Sequence, residues 1–171
     1  MTTSTRNLRL VSLLLLLLSL AACSKKSEDV LPGGTHDARM EGTWRLASLT
    51  VTAKEKGQPA KTATEFPSSP VSYEYRADGT WGNGTASGRY TSEADKLHLS
   101  TDGQRGITTL DIQTLSTTEF RYGANTLETF LAFSRSVGST EPTADVLAKI
   151  ESLSFTIALT KTSNTTTPGK R

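Results

Sequence analysis

The chain has 171 residues, a formal net charge of +2, 21% charged residues and one cysteine. A single thiol excludes an internal disulfide and a multi-thiolate metal site, and near-balanced charge without basic clusters gives nucleic acid no electrostatic footprint. Serine and threonine are abundant and long helical periodicities are scarce, the composition of a mostly β domain.

Near the amino terminus, Arg6 and Arg9 precede an apolar run at residues 10–20, interrupted only by Ser12 and Ser19. A bilayer core takes about 20 apolar residues to span. The run is therefore too short for a transmembrane helix, and a positive start with a short apolar middle is the layout of a secretory signal peptide. It ends in Leu20-Ala21-Ala22-Cys23, which resembles the lipobox of bacterial lipoprotein precursors. That resemblance implies removal of residues 1–22, a diacylglyceryl group on the Cys23 thiol and an N-acyl chain such as palmitate. One acyl chain holds a protein at a membrane only marginally, whereas two or more hold it firmly. The expected location is the cell envelope, lipid-anchored, and Ser24 beside Cys23 suggests the outer membrane by analogy. Without the leader, basic and acidic residues balance at 17 each.

Residues 23–40 are polar, contain Pro32-Gly33-Gly34 and read as a flexible spacer. Residues 41–162 form the predicted domain, and residues 163–171 a disordered tail. The first strand is expected over residues 44–53. Trp44 and Leu46 share one face while Leu49 and Val51 fall on the other, so a bulge is expected near Ala47-Ser48. Residues 54–70 hold three prolines and read as a long polar loop.

A series of hairpins follows. Val71, Tyr73 and Tyr75 alternate with polar neighbours, and Asp78-Gly79 turns the chain into Thr80-Trp81. Further short strands are expected around residues 89–91, 97–99, 107–115, 120–122 and 127–134. One helix is expected from Pro142 to about Ser152. The last strand, residues 153–161, puts Leu153, Phe155, Ile157 and Leu159 on one face. This is an all-β pattern of eight to nine antiparallel strands in up-and-down order, with one short helix before the last strand. A closed barrel accounts for it, since closure leaves no unpaired edge; a two-sheet sandwich fits the strand count nearly as well.

Gly42-Thr43-Trp44 at the start of the first strand, with "YEYRADGTW", "GRYT", "LHLS" and "FTIALTKT" after it, resembles the lipocalin-like domains of Bacteroidota-type bacterial lipoproteins. The resemblance spans roughly residues 40–161. It implies an eight-stranded barrel closed by pairing of first and last strands, with Gly42 and Trp44 as the motif at its closed end. From the barrel pattern and the long polar loop, non-catalytic binding of a small, largely apolar ligand is expected, with the loop at 54–70 gating the open end. Tyr73, Tyr75, Trp81, Tyr90 and Tyr122 are the candidate lining residues. An eight-stranded barrel interior is just wide enough to be filled by side chains or to hold one small ligand. The alternative is an envelope interaction or structural module with a filled barrel and a protein partner.

Other chemistry has weaker signals. His98 lies between leucines with no nucleophile motif nearby, so no catalytic residue is expected. Two histidines without ligand spacing argue against zinc, and Asp102, Asp111 and Glu119 form no calcium-loop run. "GNGTASG" lacks the lysine and following helix of a phosphate loop. Asn83 and Asn164 head accidental glycosylation sequons. No cofactor beyond the covalent lipid is expected.

Overall fold

The computed structural model describes residues 30–137 and 142–162. The leader, Cys23, the first part of the spacer, the Asn164 sequon and the tail lie outside the described residues.

Among the described residues, nine strands form one antiparallel sheet. They are β1 (Gly42–Glu55), β2 (Lys61–Glu65), β3 (Ser72–Tyr75), β4 (Thr80–Gly82), β5 (Ser87–Glu93), β6 (Lys96–Thr101), β7 (Thr108–Leu115), β8 (Glu119–Ala124) and β9 (Ile150–Lys161). The order is β2-β1-β3-β4-β5-β6-β7-β8-β9, and β1 also pairs with β9. Eight strands thus close into a barrel, and β2 is an addition outside it. The closing ladder runs from Trp44 opposite Lys161 to Glu55 opposite Ile150. This pairing removes the sandwich alternative.

The long first strand serves two neighbours along one edge. Gly42 to Arg45 pair with β3, and Leu49 to Ala53 pair with β2. Between them, the register against β9 shifts at Leu46/Ser48, where the sequence alternation breaks. The extra residue lets Leu49 and Val51 turn to the same side as Trp44 and Leu46.

Three expectations need correction. Residues 54–70 are not one loop, because β2 lies within them and forms a hairpin with β1. This strand has no hydrophobic alternation, and all five of its residues are exposed. Residues 127–134 are not a strand: they belong to helix α1 (Leu127–Ser136), whose N-cap Thr126 accepts from the Thr129 amide. The later helix, α2, spans only Ala144–Leu147. Ladder pairing with β1 claims Ile150 and Ser152 for β9 instead.

The spacer also differs from its expected form. From Pro32 onward it is laid against β5: Thr91 donates to the Pro32 carbonyl at 2.6 Å, and the Ser92 amide to the Thr35 carbonyl at 2.9 Å. The Ser92 hydroxyl accepts from the Asp37 amide. A short 3-10 turn at Ala38–Met40 then brings the fully buried Met40 beneath the barrel. Any free tether therefore ends before Pro32.

Both ends of the barrel are covered. The 3-10 turn sits at the Trp44 end. At the other end, α1 lays Phe133 against Phe155 with centroids 5.3 Å apart, and Phe130 against the same ring at 5.4 Å. On the β1–β9 ladder Trp44 pairs with Lys161 and Val51 with Phe155. At about 3.3 Å per residue, the Lys161 and Phe155 positions lie about 20 Å apart along β9.

Candidate functional site

The Trp44 end is built from the Gly-x-Trp motif. Gly42 has φ +122°, a conformation L side chains rarely adopt. A Cβ there would lie 2.9 Å from the Lys161 Cε, so glycine makes room for the lysine stem. Lys161 places its Nζ 5.0 Å from the Trp44 ring centroid and donates to the Arg39 carbonyl at 3.3 Å. The Trp44 indole N–H donates to the Met40 carbonyl at 2.6 Å, and its ring meets Phe120 edge-on at 5.6 Å. The motif thus ties first strand, last strand and incoming segment together.

The five candidate lining residues do come together inside the barrel. Each is almost fully buried, from 5% exposed at Tyr73 to 0% at Tyr122. Tyr75, Tyr90 and Tyr122 pack on one another and on neighbouring rings. Tyr75 meets Tyr90 edge-on at 5.0 Å and Phe120 at 5.8 Å, and Phe120 meets Tyr122 at 4.9 Å. Tyr122 reaches Phe133 of α1 at 6.2 Å.

Four of the five polar tips are also satisfied from within the protein, as buried tyrosines and tryptophans require. The Tyr75 hydroxyl donates to that of Tyr122 at 3.4 Å, and the Tyr90 hydroxyl to the Arg76 carbonyl at 3.0 Å. The Trp81 indole donates to the Ser100 carbonyl at 3.0 Å. Among the described residues no buried side-chain nitrogen or oxygen lacks a partner. Burial raises the pKa of all four tyrosines, because it penalises the charged phenolate.

Depressions in the surface lie elsewhere. One, of about 760 Å³, runs over the outer face of β3 and the turn between β4 and β5, with Ser72, Glu74, Arg76 and Asn83 in its lining. Another, of about 340 Å³, lies between Glu41–Thr43 and Thr117–Thr118. None of the five aromatic residues borders either one. The loop expected to gate an open end does not fold over the barrel: its central part pairs alongside β1 as β2, and α1 occupies the end of the barrel beyond β8.

His98 lies on β6 with its back to the core leucines, 7% exposed, its Nδ1 3.0 Å from the Thr109 hydroxyl. Its cross-strand neighbour Thr91 binds Pro32, so the docked spacer helps to cover it. Among the described residues no group of three His, Cys, Asp or Glu is placed to hold a metal. Sequence reasoning missed α1, although Leu127, Phe130, Leu131 and Ser134 recur at helical spacing behind the capping threonine.

A family model described as a lipocalin-like domain matches residues 40–122, from the buried Met40 to the buried Tyr122. It stops before both helices and the closing strand. No curated protein and no solved structure matches the chain.

Proposed function

We propose that this chain is a lipid-anchored envelope protein, of the kind seen in bacterial surface lipoproteins, whose barrel is a solid-cored module acting through its outer surface. The observation that supports this reading is the interior itself: five aromatic side chains are 5% exposed or less, and no buried side-chain nitrogen or oxygen among the described residues lacks a partner. A pocket for a small molecule keeps a few hundred cubic ångströms open and a few polar groups convergent on its ligand. Here Tyr75 and Tyr122 bond to each other, and Tyr90 and Trp81 to backbone carbonyls. Catalysis is not part of the proposal.

The anchor rests on the leader. Arg6, Arg9, the leucine run and Leu20-Ala21-Ala22-Cys23 together support cleavage before Cys23 and acylation of its thiol. The outer membrane is the proposed address, on the analogy of Ser24. Intact mass of the protein taken from its own membrane tests this: the expected chain begins at Cys23 and carries at least two acyl chains, and Cys23→Ser remains unprocessed. A mature chain that begins elsewhere, or is unmodified at Cys23, contradicts it.

The ring-rich interior also suits a second reading, internal binding of a small apolar molecule with Tyr73, Tyr75, Trp81, Tyr90 and Tyr122 around it. Native mass spectrometry of the same preparation separates the two. The solid-core reading expects the acylated chain alone. A stoichiometric apolar companion, lost in Tyr75→Ala or Tyr122→Ala, would establish the second reading.

A further inference from the structure

From the outer edge of β2 we infer a second binding surface, which takes the same edge of another copy of this chain. The strand is the last in the sheet order, hydrogen-bonded to β1 on one side only among the described residues. Residues 61–65 are all exposed, and the neighbouring Phe66 is 75% exposed. Unpaired edge groups are a template for another strand.

The occupant follows from the residues around the edge, Pro59-Ala60-Lys61-Thr62-Ala63-Thr64-Glu65-Phe66-Pro67. Antiparallel pairing of this segment with itself, about a twofold axis at Ala63, places Lys61 opposite Glu65 of the other copy, twice. It places Thr62 opposite Thr64, Ala63 opposite itself and the small Ala60 opposite the large Phe66. The two prolines bracket the ladder, beyond the positions where an amide is needed. A self-complementary patch repeated by a twofold axis is the form of the commonest homodimers.

The charges point the same way. Across the intramolecular ladder Lys61 faces Ala53 and Glu65 faces Leu49, and neither belongs to the ion pairs within the described residues. Edge lysines usually repel a second strand. Here the twofold axis supplies a carboxylate to each. Thr62 and Thr64 are held flat by hydroxyl contacts to Thr52 at 2.8 Å and Thr50 at 3.0 Å, so the strand is ordered before it pairs. One ladder this short buries little area and belongs with weak, concentration-dependent encounters. The inference does not depend on the lipid anchor or on the state of the barrel interior.

Sedimentation velocity of the full chain in detergent, over a concentration series, tests it with a charge swap. The wild type should pass from monomer to dimer. Lys61→Glu and Glu65→Lys should each weaken self-association at least about tenfold, since like charges then oppose each other twice. An equal mixture of the two variants should dimerise again, as each supplies the charge the other lacks. A wild type that stays monomeric throughout, association indifferent to both substitutions, or a mixture no more associated than its components would each overturn the inference. In those cases the edge is either solvated or kept for a different chain.

Discussion

The hydroxyls of Tyr75 on β3 and Tyr122 on β8 meet at 3.4 Å inside the barrel. The two strands are not neighbours in the sheet, so this contact joins separate parts of the wall through the interior. Tyr75→Phe and Tyr122→Phe should each cost about 1 kcal/mol, because each leaves a buried hydroxyl without its partner. The double variant should cost less than the sum, and urea denaturation of the four proteins measures the difference. Additive losses would mean that the two hydroxyls do not act as a pair.

Gly42 and Lys161 form a second linked pair. Gly42→Ala forces a side chain into a backbone region that disfavours it, at a cost of about 1–3 kcal/mol. It also pushes a Cβ against the Lys161 stem. Adding Lys161→Ala should recover only the steric part, leaving the double variant less stable than Lys161→Ala alone in thermal unfolding.

Gly123 is less forgiving. A Cβ there would overlap the Phe155 carbonyl oxygen and crowd the Thr156 Cα at 3.0 Å, where β8 pairs with β9. Gly123→Ala must move backbone rather than a flexible side chain, so a loss of about 3 kcal/mol or more is expected. Gly103→Ala provides the comparison, since nothing lies within 4 Å of its Cβ position and only its φ of +79° opposes the change. Expression and denaturation midpoints should rank Gly123→Ala below Gly103→Ala.

Helix α1 depends on its first turn. Thr126 accepts from the Thr129 amide at 3.1 Å, and removal of such a cap costs about 1 kcal/mol. Thr126→Ala should therefore loosen the plug over Phe155, seen as faster amide exchange in α1 and the adjoining end of β9 than in β5 and β6.

Much of the barrel could be read from alternation. Tyr73 and Tyr75, or Leu153, Phe155, Ile157 and Leu159, point inward at every second residue, and each set is buried as its strand requires. The bulge after Leu46 was legible because the alternation changes face there. The missed elements lack that signal for physical reasons. Strand β2 buries neither face, so Lys61 to Glu65 carry no hydrophobic period. In α1, aromatic residues such as Phe130 and Phe133 favour strands locally, and the packing of their rings against Phe155 supplies what decides the helix. Tyr73, Tyr75, Trp81, Tyr90 and Tyr122 are buried, as alternation along their strands requires. Their contacts with each other depend on how α1 and the 3-10 turn cover the two ends, which pairwise alternation does not encode.

The central claim, a barrel closed on its own side chains, is tested most directly by alkaline titration of the tyrosines. The chain has four, and burial raises the pKa of each. Unfolded phenols ionise near about pH 10. Above that pH the unfolded chain releases protons that the folded one keeps, so the tyrosines' contribution to stability is intact below about pH 10 and falls as pH rises beyond it. Phenolate absorbance and far-ultraviolet circular dichroism should therefore change together, in one cooperative step above about pH 10. Phenolate appearing near its ordinary pKa while the sheet signal persists would mean that water or a ligand space reaches the rings, and would contradict the filled interior.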